Sequence, residues 1–317
     1  MNELVSIDGP AGAVTTPAAA ADFGGLVDLF LCSQDIRDAS KRTYRRALKQ
    51  FGRWIEAAPR GQFTRETVLQ FKTDLIGRGL SAFTVSCYLT AVKRFFTWAE
   101  GAGYFPNIAK DIKLMKRGRA FQKDAFTPDQ ARELLAAIKT RTLRGKRDFA
   151  IVNLMIRTGL RTVEIIRADA GDIANQGGKT VLYIQGKGRD GKSDFVVLTP
   201  ATLTPINSYL KTRGAVDPGA PLFAAVSNRN HGGRLTTRSV SRLTKSAIER
   251  IAPGRDRLTA HSCRHSAVTF ALLGGATVQE ARALARHADI NTTLIYAHNI
   301  DRLAAAPEIK IDTVLNG

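Results

Sequence analysis

Between Ala260 and His298 the chain sets out residue types suited to attack on a phosphodiester. His261, Arg264 and His265 fall within little more than one helical turn, His287 follows, and Tyr296 comes nine residues later. On a helix His261 and Arg264, three apart, leave the same face. Asn291-Thr292-Thr293 supplies a helix start between His287 and Tyr296. A guanidinium grips phosphate oxygens two at a time. Imidazoles donate hydrogen bonds or carry protons, and a phenol can serve as covalent nucleophile. Such a site also needs a second phosphate-gripping arginine and a general acid, which must come from elsewhere in the chain.

The 317 residues suffice for two domains, each with its own core. A content of 44% hydrophobic and 24% charged residues fits a soluble globular protein. No apolar run approaches the roughly 18 residues of a membrane span, and no secretory signal is visible. Cys32, Cys87 and Cys263 lie far apart without metal-ligand spacing, as expected of packing residues in a reducing cytoplasm. The formal net charge of +19 calls for a polyanionic partner, nucleic acid ahead of membrane, and so for a nucleoid-associated protein. Residues 1–40 hold one Arg against six Asp and Glu, about −5, which leaves about +24 on the rest.

Residues 1–21 are rich in Ala, Gly, Pro and Thr and read as a flexible tail. Phe23–Cys32 is a short apolar helix, and Ser40 is placed to cap a second. In that second helix Tyr44, Leu48, Phe51 and Ile55 keep the 3.6-residue period, with Lys41, Arg42, Arg45, Arg46, Lys49 and Arg53 opposite. A basic face over an apolar stripe is either a solvated surface or a phosphate-facing one, and the absence of any acid among these cations favours the second. Thr64–Gly77 is a third helix, closed by Gly77-Arg78-Gly79. Ser81 opens a fourth, with Val85, Leu89, Val92, Phe96 and Ala99 as its core stripe. Thr84, Ser86, Thr90, Lys93 and Arg94 are its polar contacts, and Thr84, Ser86 and Lys93 join the candidate nucleic-acid ligands. Phe95, Phe96 and Trp98 read as core rather than as a base-stacking platform. Residues 22–105 thus form a helical domain, and the aperiodic, basic 106–126 a linker that either tracks a nucleic-acid backbone or hangs free.

Thr127-Pro128-Asp129-Gln130 carries a capping box and opens a second domain, 127–317. The helix through Asp148–Ile156 is apolar almost all round, hence central, and stops at Gly159. Arg161 then sits at the next helix N-terminus, a position that favours anions. Thr180–Gln185 and Asp194–Leu198 are strand-like around Gly186-Lys187-Gly188-Arg189-Asp190-Gly191-Lys192-Ser193. That loop matches two phosphate-binding patterns, but both require a helix to follow, and here a β-rich run follows. A glycine-rich hairpin carrying Lys187 out to a ligand is the better reading. Pro200–Lys211 is helical, Leu222-Phe223 a short strand, and Thr237–Ile251 a helix exposing Arg238, Ser239, Arg242, Thr244 and Lys245, suited to reading a groove. The fold class is therefore mainly α, with a small β-sheet in the C-terminal domain.

Arg161, Lys187, His261, Arg264, His287 and Tyr296, in this order and spacing, resemble the tyrosine recombinase (phage integrase) family, especially its short Xer-like members. The matching motifs are TGLRTVEI, GKGRDGKS, HSCRHSAVTFALLGG and ARHADINTTLIYAH. The resemblance implies that Arg161 and Arg264 clamp the scissile phosphate and that Tyr296 forms a 3′-phosphotyrosyl bond. It makes Lys187 the acid for the departing 5′-hydroxyl, with His261 and His287 assisting. Glu164 would support Arg161, and His265 would be a buried structural histidine. Cys263 and Arg286 depart from the family's usual leucine and glycine, without removing a reacting group.

The implied activity is strand exchange between double-stranded DNA recombination sites through a Holliday junction, with no metal, ATP or other cofactor. The protein would be a monomer in solution and a homotetramer on synapsed DNA. Ile309, Ile311, Val314 and Leu315 in the last segment would dock either on their own chain or on a neighbouring protomer. A type IB topoisomerase, a non-catalytic DNA-binding regulator and a P-loop nucleotidase are the rivals, separable by synapsis, covalent trapping and nucleotide binding respectively.

Overall fold

The computed structural model describes residues 23–57, 64–115, 124–186 and 190–297, with Ile311, Val314 and Leu315 beyond them. The expected tail at 1–21 lies outside these residues. The chain divides into two compact units, Met1–Ala120 and Phe121–Gly317.

Among the described residues four helices build the first unit: α1 (Phe23–Ser33), α2 (Asp38–Ala57), α3 (Arg65–Gly77) and α4 (Ala82–Gly101). The apolar stripes read from the sequence face inward. Leu48 and Phe51 of α2 and Val85, Leu89, Val92, Phe96 and Ala99 of α4 are buried. Phe30, Phe51, Phe71, Phe95 and Phe96 meet largely edge to face, with Phe51 and Phe71 centroids 5.0 Å apart, so the aromatic cluster is core. Ser81 caps α4 by accepting the Thr84 N–H at 3.2 Å. α2 begins at Asp38, ahead of Ser40, because Asp38 supplies the negative charge that suits a first turn.

The 106–126 segment is not wholly a linker. Ile108, Ala109 and Ile112 are buried in the first unit's core. Lys93 Nζ donates to the Ile112 carbonyl at 2.9 Å, Lys72 Nζ to that of Lys113 at 2.8 Å, and Ser86 Oγ accepts the Met115 N–H at 3.2 Å. Ser86 is 1% exposed. Ser86 and Lys93, expected to face nucleic acid, therefore fasten this segment, because its carbonyls have no ladder of their own.

The second unit is arranged around α6 (Leu143–Thr158), which packs against α8 (Pro200–Arg213) and α10 (Ala260–Leu273). Its apolar residues Ala150–Val152 and Leu154–Ile156 are all buried. Before it lies α5 (Pro128–Ala136), with the Thr127–Gln130 capping box in place. After it come α7 (Thr162–Arg167) and a three-stranded antiparallel meander, β1 (Ile173–Gln176), β2 (Lys179–Ile184) and β3 (Asp194–Val197). In register, Ile173 pairs with Leu182, and Leu182 with Val196. β1 is an element the sequence reading lacks, although its signal is present. Gly177 and Gly178, at φ 56° and 72°, make the two-residue turn that a tight hairpin demands.

Leu222-Phe223 is not a strand: single bridges at Pro221 and Ala224 flank it, and both side chains are buried. α9 (Thr237–Ile251) exposes Arg238, Arg242 and Lys245 as expected, but Thr244 is fully buried and its hydroxyl donates to the Val240 carbonyl. α11 (Val278–Ala285) and a helical stretch over 291–297 complete the unit. No helix among the described residues is long and apolar enough to cross a membrane.

Candidate active site

Arg161 is fixed from below. It is the N-cap of α7, and Glu164, three residues on, is fully buried. One oxygen of that carboxylate accepts the Arg161 N–H at 2.7 Å and the other accepts Nη1 at 2.8 Å. A carboxylate in the first turn of a helix is favoured electrostatically, and here it also aims a guanidinium.

Arg264 comes from α10 and is 3% exposed. Its Nη1 donates to the Gly159 carbonyl at 2.7 Å, and its Nη2 to that of Ala285. Neither acceptor is a carboxylate, so these bonds orient the guanidinium while its charge stays uncompensated by them. Burial, then Arg161 and Arg286, lower its pKa to about 9, which still leaves it charged at neutral pH.

The histidines surround these arginines. His261 is the most open; partial loss of water around its ring, then Arg264 and Arg161, hold it below the usual imidazole range. His287 Nδ1 bonds the hydroxyl of buried Thr293 at 2.9 Å. Burial, then the cations Arg264, Arg161 and Arg286, bring His287 to about 4. His265 lies edge-on to His261, centroids 4.6 Å apart, and its Nδ1 meets the Tyr296 hydroxyl. Expected only as a structural histidine, it touches the phenol directly. Burial, then His261 and Arg264, bring His265 to about 4.

Tyr296, on the 291–297 helix, is 6% exposed and packs with Val268, Ala281 and Ala285. Burial raises its pKa to about 12, against an opposing pull from Arg264. Arg161, His261 and Arg264 line one cleft of about 450 Å³ together with Thr162, Ser241 and Lys245. Lys245 is held by Asp256 at 3.1 Å.

Lys187 lies outside the described residues. Lys192, the lysine of the apparent nucleotide-binding pattern, is bonded to Asp169 and Asp172, and Arg234 reaches Asp169 as well. Strand β3 follows the loop, so the helix N-terminus required to cradle phosphates is missing there. Lys192 anchors the hairpin.

Sequence reasoning misses one site residue. Arg286, a mere packing departure on that reading, puts Nη2 3.0 Å from Glu164. The signal was the departure from the family's usual glycine beside His287, which the sequence reading took for packing alone.

The profile of the phage integrase family matches residues 124–302, and that of its N-terminal SAM-like domain matches residues 27–104. The tyrosine recombinase XerD of Caulobacter vibrioides is 30% identical over 285 residues, 86% of this chain and 90% of its own. The chain belongs to the phage integrase family of tyrosine recombinases. Solved structures of recombinases share its fold. XerH site-specific recombinase bound to difH substrate in a pre-cleavage complex superposes with a TM-score of 0.70 at 17% identity, covering 93% of this chain and 97% of that one. A lambda integrase tetramer bound to a Holliday junction gives 0.67 at 16%, covering 89% and 80%.

Proposed function

We propose that this chain is a site-specific DNA recombinase that cuts and rejoins duplex DNA through a covalent bond between Tyr296 and a 3′-phosphate. The convergence of Arg161, His261 and Arg264 on one cleft carries this reading. A phosphodiester placed there meets two guanidiniums that offset the charge building on the phosphorane. The Tyr296 oxygen attacks phosphorus and its hydrogen leaves to a base, while the bond from phosphorus to the 5′-oxygen breaks and that oxygen takes a proton from Lys187. His261 and His287 donate to, or move protons at, the phosphate oxygens. In the second half-reaction a 5′-hydroxyl of the other duplex attacks the phosphotyrosine and restores the phenol. One phosphodiester is exchanged for another, so the bond energy is conserved and no ATP is called for. Charge compensation by the arginines leaves no step that requires a metal.

Strand exchange needs two duplexes at once, so the working assembly is a homotetramer on paired sites passing through a Holliday junction. The exposed cations Arg42, Arg46, Lys49, Arg238 and Arg242 suit the phosphate backbone and groove edges of double-stranded DNA.

The test is a nicked duplex carrying a site selected by the protein from a random library, which traps the covalent intermediate. The wild type should give a denaturation-resistant protein–DNA band, in excess EDTA as well as without it. Tyr296→Phe should bind the same duplex and give none. A band from the Phe variant would remove Tyr296 as nucleophile, and loss of the wild-type band on chelation, restored by magnesium, would overturn the metal-free scheme.

A further inference from the structure

Arg286 occupies a backbone position that disfavours it. It ends α11 at φ 52°, ψ 47°, the left-handed region in which glycine is at ease and a long side chain is strained. Its side chain is only 11% exposed. Nη1 donates to the Leu284 carbonyl at 2.8 Å, and Nη2 reaches Glu164 at 3.0 Å and the Gly159 carbonyl at 3.4 Å. Buried Nε has no hydrogen-bond partner among the described residues. Backbone strain, a buried charge and an unsatisfied donor are three unfavourable features on one side chain. Glycine in place of a residue needed only to turn the chain would relieve all three.

What the side chain gains is Glu164. That carboxylate oxygen, Oε2, is shared by the Arg161 N–H at 2.7 Å and Arg286 Nη2 at 3.0 Å, leaving Oε1 for Arg161 Nη1. A carboxylate facing a lone guanidinium tends to pair with it through both oxygens. Such a pair would occupy two Arg161 donors and cancel much of its charge. Arg286, together with the Arg161 backbone N–H, holds Oε2 aside. Asp194 attracts Arg286, and Arg161 repels it.

We propose that Arg286 is a positioning residue that acts through Glu164, keeping the Arg161 guanidinium bound by one carboxylate oxygen and its other edge and charge available to the scissile phosphate. This rests on the recombinase reading above. Arg286 does not line the cleft beside Arg161, His261 and Arg264, so it works at one remove from the substrate.

Three variants of the full chain test it on the nicked duplex in single-turnover cleavage: Arg286→Gly, Arg286→Gln and Arg286→Lys. Glycine removes the backbone strain, glutamine keeps the strain and loses the charge, and lysine keeps both strain and charge. The expected result is a fall of roughly 10- to 100-fold in cleavage rate for Gly and Gln, the scale of a misplaced reacting group. Duplex affinity should be unchanged, and Lys should recover most of the rate. The His287 imidazole, followed by NMR titration of the free protein, should titrate higher in Gly and Gln than in wild type, because one of the cations holding it down is gone.

Wild-type rates in both Gly and Gln, or a Lys variant as slow as Gln, would overturn the proposal. So would rate losses that track a lowered melting temperature, since the residue would then be structural. If the wild type itself forms no adduct while the histidine titration moves as stated, it is the recombinase reading that fails.

Discussion

Tyr296 rests in a state that makes it a weak nucleophile. With its pKa pushed to about 12 by burial, the phenol is almost wholly protonated at neutral pH. His265, brought down to about 4, is neutral there, and in the tautomer protonated on Nε2 its Nδ1 accepts the phenolic hydrogen. On the proposed mechanism, attack then requires the proton to leave as the new bond to phosphorus forms, under the pull of Arg161 and Arg264. Arg161→Ala should slow cleavage at least about 100-fold, the order expected on removing a preorganised donor. A smaller effect in single-turnover cleavage would take Arg161 out of the phosphate clamp. The same burial makes a stability prediction. His265 and His287 stay neutral in the folded protein until about pH 4, whereas in the unfolded chain they take up protons from about pH 6.5. Between those limits the unfolded state binds more protons, so stability is full above the window and lost as pH falls through it. Thermal melts from pH 7 to 4 should show that decline, and it should be shallower in His265→Gln.

At the scale of elements, Gly159 joins α6 to the site. It ends the helix at φ 63°, its carbonyl holds Arg264, and a Cβ there would meet the Ala267 Cβ at 3.4 Å. Gly159→Ala should destabilise by about 1–2 kcal/mol from the left-handed backbone alone. It should also disturb Arg264, so cleavage should fall along with the melting temperature; an unchanged melting temperature would mean the turn relaxes. On α2 the exposed cations are not equivalent. Arg45 is paired with Asp28 at 2.8 Å, while no ion pair is found for Arg42 or Arg46 among the described residues. Neutralising Arg42 and Arg46 should lower the salt slope of duplex binding by roughly 0.9 for each phosphate that the protein no longer neutralises. Removing Arg45 should lower it less. A slope that does not move would put this face in solvent.

For the whole molecule, a net charge of +19 makes DNA association salt-dependent whatever the sequence bound. On the proposed function, sequence preference would come from fewer residues, and replacing exposed Arg238 or Arg242 of α9 should alter preference among site variants. Assembly is a separate matter. Ile311, Val314 and Leu315 are 56%, 80% and 75% exposed, apolar surface that would gain by docking, either on its own chain or on a neighbouring copy. Deleting residues 303–317 should leave single-site binding intact and sharply reduce two-site assembly and strand exchange. A truncated protein that still forms tetramers on paired sites at the normal rate would show that the tail serves its own chain.

The sequence alone placed most of the helices, their buried faces and the candidate reactive groups. Those follow from local rules: a 3.6-residue period, a capping box at Thr127, a left-handed stop at Gly159, and the fixed spacing of His261, Arg264 and Tyr296. It also showed correctly that Lys192 belongs to a hairpin, because a β-rich run follows it. What it could not determine were relations between distant residues. Ser86 and Lys93 look like surface polar groups until carbonyls near position 112 arrive to claim them. Thr244 is buried because of what packs on α9, and His265 meets a phenol 31 residues away. Arg286 reads in the sequence as a local change of packing, yet its partner is Glu164, 122 residues earlier. A distant hydrogen-bond partner is set by which elements pack side by side, and no local period encodes that; the Arg161–Glu164 pair, three residues apart, was legible locally, whereas only the tertiary structure decided that Arg286 would find the same carboxylate.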